Sequence, residues 1–525
     1  MSAEREAQPP DPRSSRASTA GAGWDCAARG GIGRYARMLP AERRGIFGLR
    51  PRERSASWLR PSVLWRSRND ILARLSDPTD DTRAHWLEHV GVDPRSDDLA
   101  LDVSDVPEPS FLVLGDTGEG DASQYAVVPP LEARAAGARF MVILSDVIYP
   151  AGEVNDYVSK FHYPYAFFQG PIWAIPGNHD WYDGLNGFMQ NFCGAKPLPP
   201  EPHGRPLLHR LLWRQPSVRD PLAERIGAAL RPHPEQWTLQ PAPYFVIETG
   251  PVRLVGIDTG IRNRLDAEQG AWLRRVSAGS AKPKVLLTGK PLIVDGERRH
   301  TPIDGGGDVD EIVRDPAHGY IAAIGGDIHN YQRYPVPLGD GRTIQYIVSG
   351  GGGAFMHATH KIGRVDVEGV VEEDFRCYPL RGDSLSFYSH LLRKRWFWRW
   401  LPAIPPDEAA RIMARKIGGK DAVPTRPASG DASEPAALDT GEAVERAQVR
   451  LRSRFAAFVV FRAPGPKVLQ RFFSEIYDWN EPPMFKSFLR LDATAVSLRI
   501  TCHAATGCGD DELEPPVEDA VEIPL

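Results

Sequence analysis

The chain has 525 residues, 42% of them hydrophobic and 25% charged, with a formal net charge of −5. That length allows two or more domains of roughly 150 residues each and a large buried core, and the acidic balance argues against nucleic-acid binding by bulk electrostatics. Five cysteines (Cys26, Cys193, Cys377, Cys502, Cys508) fit neither a zinc-ribbon spacing nor a disulfide framework, so a reducing, cytoplasmic setting is expected, with no secretory leader and no membrane span.

In chain order, residues 1–30 are rich in Pro, Ser, Arg, Ala and Gly and predict disorder. Residues 31–109 scatter Trp58, Leu64, Trp65, Ile71, Leu72, Trp86 and Leu87 among Arg and Asp, which predicts short helices forming an N-terminal extension. From residue 110 short β-branched runs alternate with helical stretches. Strands are expected over 111–115, 140–145, 171–175, 243–248, 252–258, 284–288, 319–325 and 343–349, and helices over 123–137, 153–168 and 266–278. Such alternation argues for an α/β layered fold, in which ligands bind beyond the carboxyl ends of strands.

This core, 110–375, is interrupted at 183–241 by a Pro-rich and Arg/Leu-rich insertion expected to roof the site. Residues 376–418 contain a basic aromatic run, 391–401. It reads as a lid over the core, as a solvated basic face, or as a helix in peripheral contact with a membrane. Residues 419–445 read as a linker. Residues 446–525 carry strand-like runs, Phe455–Phe461 and Phe485–Ile500, expected to return to the sheet.

Four segments place a metal-binding side chain just past an apolar run: Leu114-Gly115-Asp116-Thr117-Gly118, Leu144-Ser145-Asp146-Val147-Ile148-Tyr149, Gly177-Asn178-His179-Asp180 and Gly326-Asp327-Ile328-His329. Each aspartate alone is equally an N-cap, and Tyr149 alone is equally a packing residue. Together they supply the carboxylate, amide and imidazole donors of a two-ion cluster, in which ions roughly 3.5–4 Å apart clamp both oxygens of a phosphoryl transfer. Gly350–Gly353 close a strand ahead of His357. That is either a plain turn or a close backbone approach to a ligand, with His357 a reserve ligand or phosphate contact.

The four segments together resemble the motifs of the calcineurin-like metallophosphoesterases, nearest in pattern to the purple acid phosphatase branch, over roughly residues 110 to 360. The resemblance implies a four-layer sandwich of two mixed sheets flanked by helices. It also implies hydrolysis of a phosphomonoester or phosphodiester by hydroxide formed at two ions of Mn, Fe, Mg or Zn. Asp116, Tyr149 and His329 would hold the first ion, Asp146 would bridge, and Asn178 would hold the second. His179 would contact the substrate as leaving-group acid or electrostatic stabiliser, oriented by Asp180. The substrate would be a small phosphoester.

Two positions depart from the family pattern. Gly289, followed by Lys290, stands where a strand should end in histidine, and Asp327 replaces another histidine. Both lost imidazoles would serve the second ion, so that position becomes all-oxygen, suited to Mg or Mn, or stays weak. Lys290 is expected to meet substrate phosphate as a point charge. A family member that binds without turnover, or a membrane-surface hydrolase of lipid head groups, are the alternative readings.

Overall fold

A computed structural model describes residues 60–75, 77–198, 212–394, 399–418, 449–462, 483–507 and 514–525, with two short strand segments at 423–424 and 438–439. The arm at 1–30, the first half of the N-terminal extension and nearly all of the linker at 419–445 lie outside the described residues.

Two sheets are built from β1 (Ala100–Asp102), β2 (Ser110–Gly115), β3 (Ala138–Leu144), β4 (Ile172–Ile175), β5 (Phe245–Glu248), β6 (Arg253–Ile257), β7 (Lys284–Thr288), β8 (Tyr320–Gly325), β9 (Tyr331–Pro337), β10 (Thr343–Ser349), β11 (Arg376–Tyr378), β12 (Lys486–Ala493), β13 (Ser497–Ala505) and β14 (Val517–Pro524). The eight-stranded sheet runs β1-β5-β6-β7-β8-β10-β9-β11 and the six-stranded sheet runs β14-β13-β12-β2-β3-β4. Both are mixed. β6, β7, β8 and β10 run parallel, as do β2, β3 and β4, while β9 and β12 pair antiparallel to their neighbours.

The side-chain alternation of a strand decides how the layers stack. Phe111, Val113, Phe140 and Val142 join one core cluster with Leu254, Val255, Leu286 and Ile324 of the other sheet. The intervening Leu112, Leu114, Met141 and Ile143 join a second cluster with Val127 and Leu131 of helix α4 (Ala122–Arg134). Sheet therefore packs on sheet, with helices outside, in the expected α/β sandwich. The larger sheet is flanked by α8 (Ala267–Ala278), which buries Trp272, Leu273 and Val276.

The N-terminal extension contains α1 (Pro61–Arg66), α2 (Asn69–Ala73) and α3 (Thr79–Val90). α3 buries Arg83, Trp86 and Leu87. The insertion begins after α5 (Asn178–Trp181) and carries α6 (Asn186–Phe192) and α7 (Pro221–Leu230). Its described part packs against the helical side of the six-stranded sheet: Phe188, Phe192 and Trp213 join the second core cluster. Gln240 pairs with the backbone of edge strand β4, accepting from Ala174 N at 2.9 Å and donating to Ala174 O at 3.0 Å.

Past α9 (Val309–Arg314), the chain after β11 forms α10 (Arg381–Lys394) and α11 (Pro406–Lys416). Both pack on the main core, burying Leu385, Leu391, Leu392, Ala409 and Met413, and Ile404 between them is buried too. Residues 395–398 of the basic aromatic run lie outside the described residues. Among the described residues no helix is long and apolar enough to cross a membrane, and Cys193, Cys377 and Cys502 are free thiols.

Two expectations are corrected. Residues 153–168 do not form an α-helix but a 3-10 turn, Val154–Asp156, and a π turn, Val158–His162. Pro164 clashes with helical continuation, and Lys160 instead turns its ammonium to Asp156 at 2.8 Å and to the Tyr149 carbonyl. The run Phe455–Phe461 is not a strand but part of α12 (Leu451–Arg462), whose buried residues Ser453, Ala456, Ala457 and Val460 recur at helical spacing. Residues 486–505, by contrast, do return to the sheet, pairing β12 with β2 in the register Leu489↔Val113.

Candidate metal and phosphoester site

The register of the parallel strands brings the motif residues to one rim. Gly115 pairs with Leu144 and Leu144 with Ile175, so Asp116, Asp146 and the Gly177–Asp180 turn leave adjacent strand ends together. In the facing sheet Gly325 pairs with Thr288 and Val348, which sets Asp327, Gly289 and Gly350 on the same rim. Asp116, Ser145 and Asp327 all have φ near +60° (58°, 64° and 64°). This region is uncommon and costly for residues other than glycine, and it concentrates at functional sites. Two glycines are required by close approach. A Cβ at Gly177 would lie 2.1 Å from Asp146 Oδ1, and one at Gly350 2.6 Å from Asp116 Oδ2.

Tyr149 stands between the two sheets' contributions. Its hydroxyl donates to Asp116 Oδ1 at 3.2 Å and lies 3.0 Å from His329 Nε2; Nε2 and Asp116 Oδ1 are themselves 3.8 Å apart. The His329 ring is fixed from behind, its Nδ1–H donating to the Phe355 carbonyl at 2.7 Å. That bond makes Nε2 an acceptor, and burial pushes the imidazole pKa down to about 3, keeping it neutral. Asp116 Oδ2 is buried with no hydrogen-bond partner. Asp116 Oδ1 and His329 Nε2 thus face one phenolic hydroxyl. Burial, then the charges of Asp146 and Asp327, hold the Asp116 carboxyl well above its usual range, and burial likewise raises Asp146. Such a pocket is short of positive charge.

The turn after β4 supplies the third motif. His179 N donates to Asp146 Oδ1 at 2.8 Å. Its ring Nδ1 pairs with the Pro150 carbonyl at 2.8 Å, leaving Nε2 3.8 Å from Asp146 Oδ2. The ring lies between Tyr149 and Tyr182, with centroids 4.5 and 4.8 Å away. Asn178 Nδ2 donates to Tyr182 OH at 2.8 Å, which commits the amide nitrogen and orients the carbonyl oxygen as the available donor atom.

Asp180 differs from its expected role. Its carboxylate accepts backbone N–H bonds from Gly177, Val147 and Ile148 at 3.0–3.2 Å. It ties the second motif's turn to the third, while the carbonyl of Pro150 orients His179.

Lys290 and His357 also depart from simple substrate contacts. The Lys290 ammonium donates to the Ile261 carbonyl at 2.8 Å. Gly289 beside it runs close to the third motif, since a Cβ there would meet Pro176 O at 2.8 Å. His357 stacks on His329 with ring centroids 4.3 Å apart at 3°, and its Nδ1 accepts from His329 N at 3.1 Å. It braces His329.

The donor chemistry suits a cation at the first position: carboxylates of Asp116 and Asp146, the Tyr149 phenol and a neutral imidazole whose second nitrogen is anchored, the usual support for a ligating histidine. A second cation at the position the resemblance implies would meet only oxygen donors, from Asp146, Asn178 and Asp327. The arrangement is not a ready-made cage, because among the described residues no three His, Cys, Asp or Glu side chains group so as to hold an ion.

Several supporting residues carry no motif. Asp258, after β6, accepts from Trp181 Nε1 and from Arg83 Nε, both at 2.9 Å, and so joins the extension to the third motif. Lys486 of β12 donates to the Ala354 carbonyl in the loop that carries His357. Asp258 follows an apolar strand as the motif aspartates do, and that pattern is the one sequence cue to it.

Carboxylates, an amide, a phenol and an imidazole thus meet on one rim at the strand ends of a two-sheet sandwich. Residues 109–331 match the family model of the calcineurin-like phosphoesterases, and this part of the chain is a domain of that family. Similar solved structures include a purple acid phosphatase, PPD1, from yellow lupin seeds, with 11% identity and a TM-score of 0.37 over 79% of this chain and 54% of that one. This chain thus spans about half of the lupin protein. Others are PhoD (9% identity, TM-score 0.33, 80% of this chain and 70% of that one) and GAP50, described as the anchor in the inner membrane complex of Plasmodium (11% identity, TM-score 0.32, 52% and 81%). No curated protein sequence matches the chain.

Proposed function

We propose that this protein hydrolyses phosphoric esters at a two-cation centre formed by Asp116, Asp146, Tyr149, Asn178, Asp327 and His329. The observation that carries the reading is the crowding of lone-pair atoms around Tyr149. Asp116 Oδ1 and His329 Nε2 face one hydroxyl and Asp116 Oδ2 is buried without a hydrogen-bond partner, an arrangement that a Lewis acid relieves. Bound cations would supply polarisation of the phosphoryl group and a more acidic water.

The chain's own part is positioning and proton transfer. Nδ1–H of His179 is held by Pro150, so Nε2 is the atom that faces the centre; with a proton on both ring nitrogens it can give the Nε2 proton to a leaving alkoxide and keep the Nδ1 proton. Asp180 keeps the two turns in register beneath it. The second position has no imidazole and no room for one at Gly289, where backbone of Pro176 stands in the way. Its oxygen donors favour Mg or Mn over Zn.

Elemental analysis of purified protein, with a panel of aryl and alkyl phosphoesters and Mn, Mg, Fe or Zn added back, tests the reading. Metal-dependent turnover that disappears in Asp146→Asn is the expected result. Bound metal with no turnover on any ester would make the chain a binding protein on this fold.

A further inference from the structure

We propose that the protein docks on anionic lipid bilayers through an arginine-flanked aromatic face built from α12 and the turn at Trp400. This does not rest on the phosphoesterase reading. One side of α12 is committed to the fold, with Ser453, Ala456, Ala457 and Val460 buried. Its carboxyl end is anchored by Lys361, whose ammonium donates to the carbonyls of Val460 at 3.2 Å and Phe461 at 2.7 Å.

The opposite side is apolar yet open to solvent. Leu451 is 80% exposed, Phe455 49% and Phe458 51%, and Trp400 from the neighbouring turn is 58% exposed. The Trp400 and Phe455 ring centroids lie 5.9 Å apart, so the two elements present one surface. Single exposed apolar residues are ordinary; a cluster of large ones marks an interaction surface.

The charges around this face identify the partner. Arg393, Arg399, Arg452, Arg454 and Arg462 are exposed, and the Arg462 guanidinium sits 3.9 Å over the Phe458 ring. Neither 391–401 nor 450–462 contains an Asp or Glu, in a chain whose net charge is −5. Cationic charge is therefore gathered where the aromatic side chains are. Aromatic rings settle at the acyl boundary while arginines meet acidic head groups, the two contributions of an interfacial amphipathic helix. A helix of 12 residues spans about 18 Å at roughly 1.5 Å per residue, so it would lie on a bilayer rather than cross it. A second copy of the chain would set arginines against arginines.

Co-sedimentation of the full chain with phosphatidylcholine vesicles, with and without phosphatidylserine, at low and high salt, tests this. Pelleting should require phosphatidylserine and weaken with salt. Arg452→Gln and Arg454→Gln should each lower partitioning about fivefold, and combined Trp400→Ser, Phe455→Ser and Phe458→Ser on the order of tenfold or more. These residues are exposed, so the variants should melt like the parent and turn over a soluble ester at the parent rate. Three outcomes would overturn the proposal. These are no lipid-dependent pelleting, variants with matched melting that bind vesicles as the parent does, and loss in the variants only of self-association or of binding to a single-stranded oligonucleotide.

Discussion

Tyr149 and His179 sit side by side, and their hydrogen bonds separate two jobs. Tyr149 faces Asp116 and His329, which in the proposed function gives it cation binding. His179 turns Nδ1 away to Pro150 and keeps Nε2 toward the centre, which in the same proposal gives it proton transfer. His179→Ala should leave metal content intact and lower turnover by roughly 10²–10⁴, the usual general-acid contribution. Loss of metal in that variant would reassign His179 to the ligand set. Asp180→Asn should behave differently. Since Asp180 accepts three backbone N–H bonds, its replacement should lower stability by about 1–3 kcal/mol, read as a shifted denaturation midpoint. A histidine far from the centre gives a pH signature. His503 is buried against the Phe488 ring, with centroids 5.4 Å apart. Burial, helped by the charge of Arg134, pushes its pKa down to about 4. The unfolded chain takes up a proton below about pH 6.5 and the folded chain only below about 4, so stability is full above the first value and falls toward the second. The slope from this residue is about 1.4 kcal/mol per pH unit. In His503→Gln that component should vanish from denaturation midpoints compared between pH 7 and pH 5; equal slopes in parent and variant would rule it out.

At the scale of elements, the parallel strands were legible because each is a short apolar run followed by a turn residue, and their ends carry the motifs. The helices were less so. Residues 153–168 have helical composition, but Pro164 and the pull of Lys160 toward Asp156 and Tyr149 wind them differently. The phenylalanines and valines of α12 imitate a strand, and only the small residues Ser453, Ala456 and Ala457 reveal its buried side. Least legible is the contact between α3 and the site, because it joins residues 83, 181 and 258, with no local pattern to betray it. Arg83 is almost fully buried, bridging Asp258 and Asp266 beneath Trp181. Arg83→Met would leave both carboxylates without their cation, and a broken buried pair costs about 3–5 kcal/mol. The expected result is a lower denaturation midpoint together with weaker binding of the second cation, because Trp181 and Asn178 share a helical turn. Arg83→Lys, which keeps the charge but loses the fork, should recover part of both. Unchanged stability in Arg83→Met would show that the extension merely rests on the core.

The whole molecule extends well past the segment that matches the phosphoesterase family. That match ends at residue 331, yet the strand carrying Asp116 has β12 as its second neighbour. β12 is followed across the sheet by β13 and β14. Asp519 of β14 accepts from Tyr331 OH at 2.7 Å and Arg333 Nη2 at 3.0 Å, binding the strand after His329 to the end of the chain. Arg333 and the tyrosine bond more than offset the burial of Asp519 and hold its carboxyl below the usual range, so the pair is a charged one. Phe488, Leu489, Leu491, Leu498 and Ile500 are all buried, and at about 1.5–3 kcal/mol for each side chain their removal forfeits roughly 10 kcal/mol, comparable to the entire stability of an ordinary domain. A fragment of residues 109–331 should therefore show no cooperative urea transition. The full chain should show one, and Asp519→Asn should lower its midpoint. A fragment that unfolded cooperatively and bound the first cation as the full chain does would mean that the C-terminal strands decorate a self-sufficient core instead of completing it.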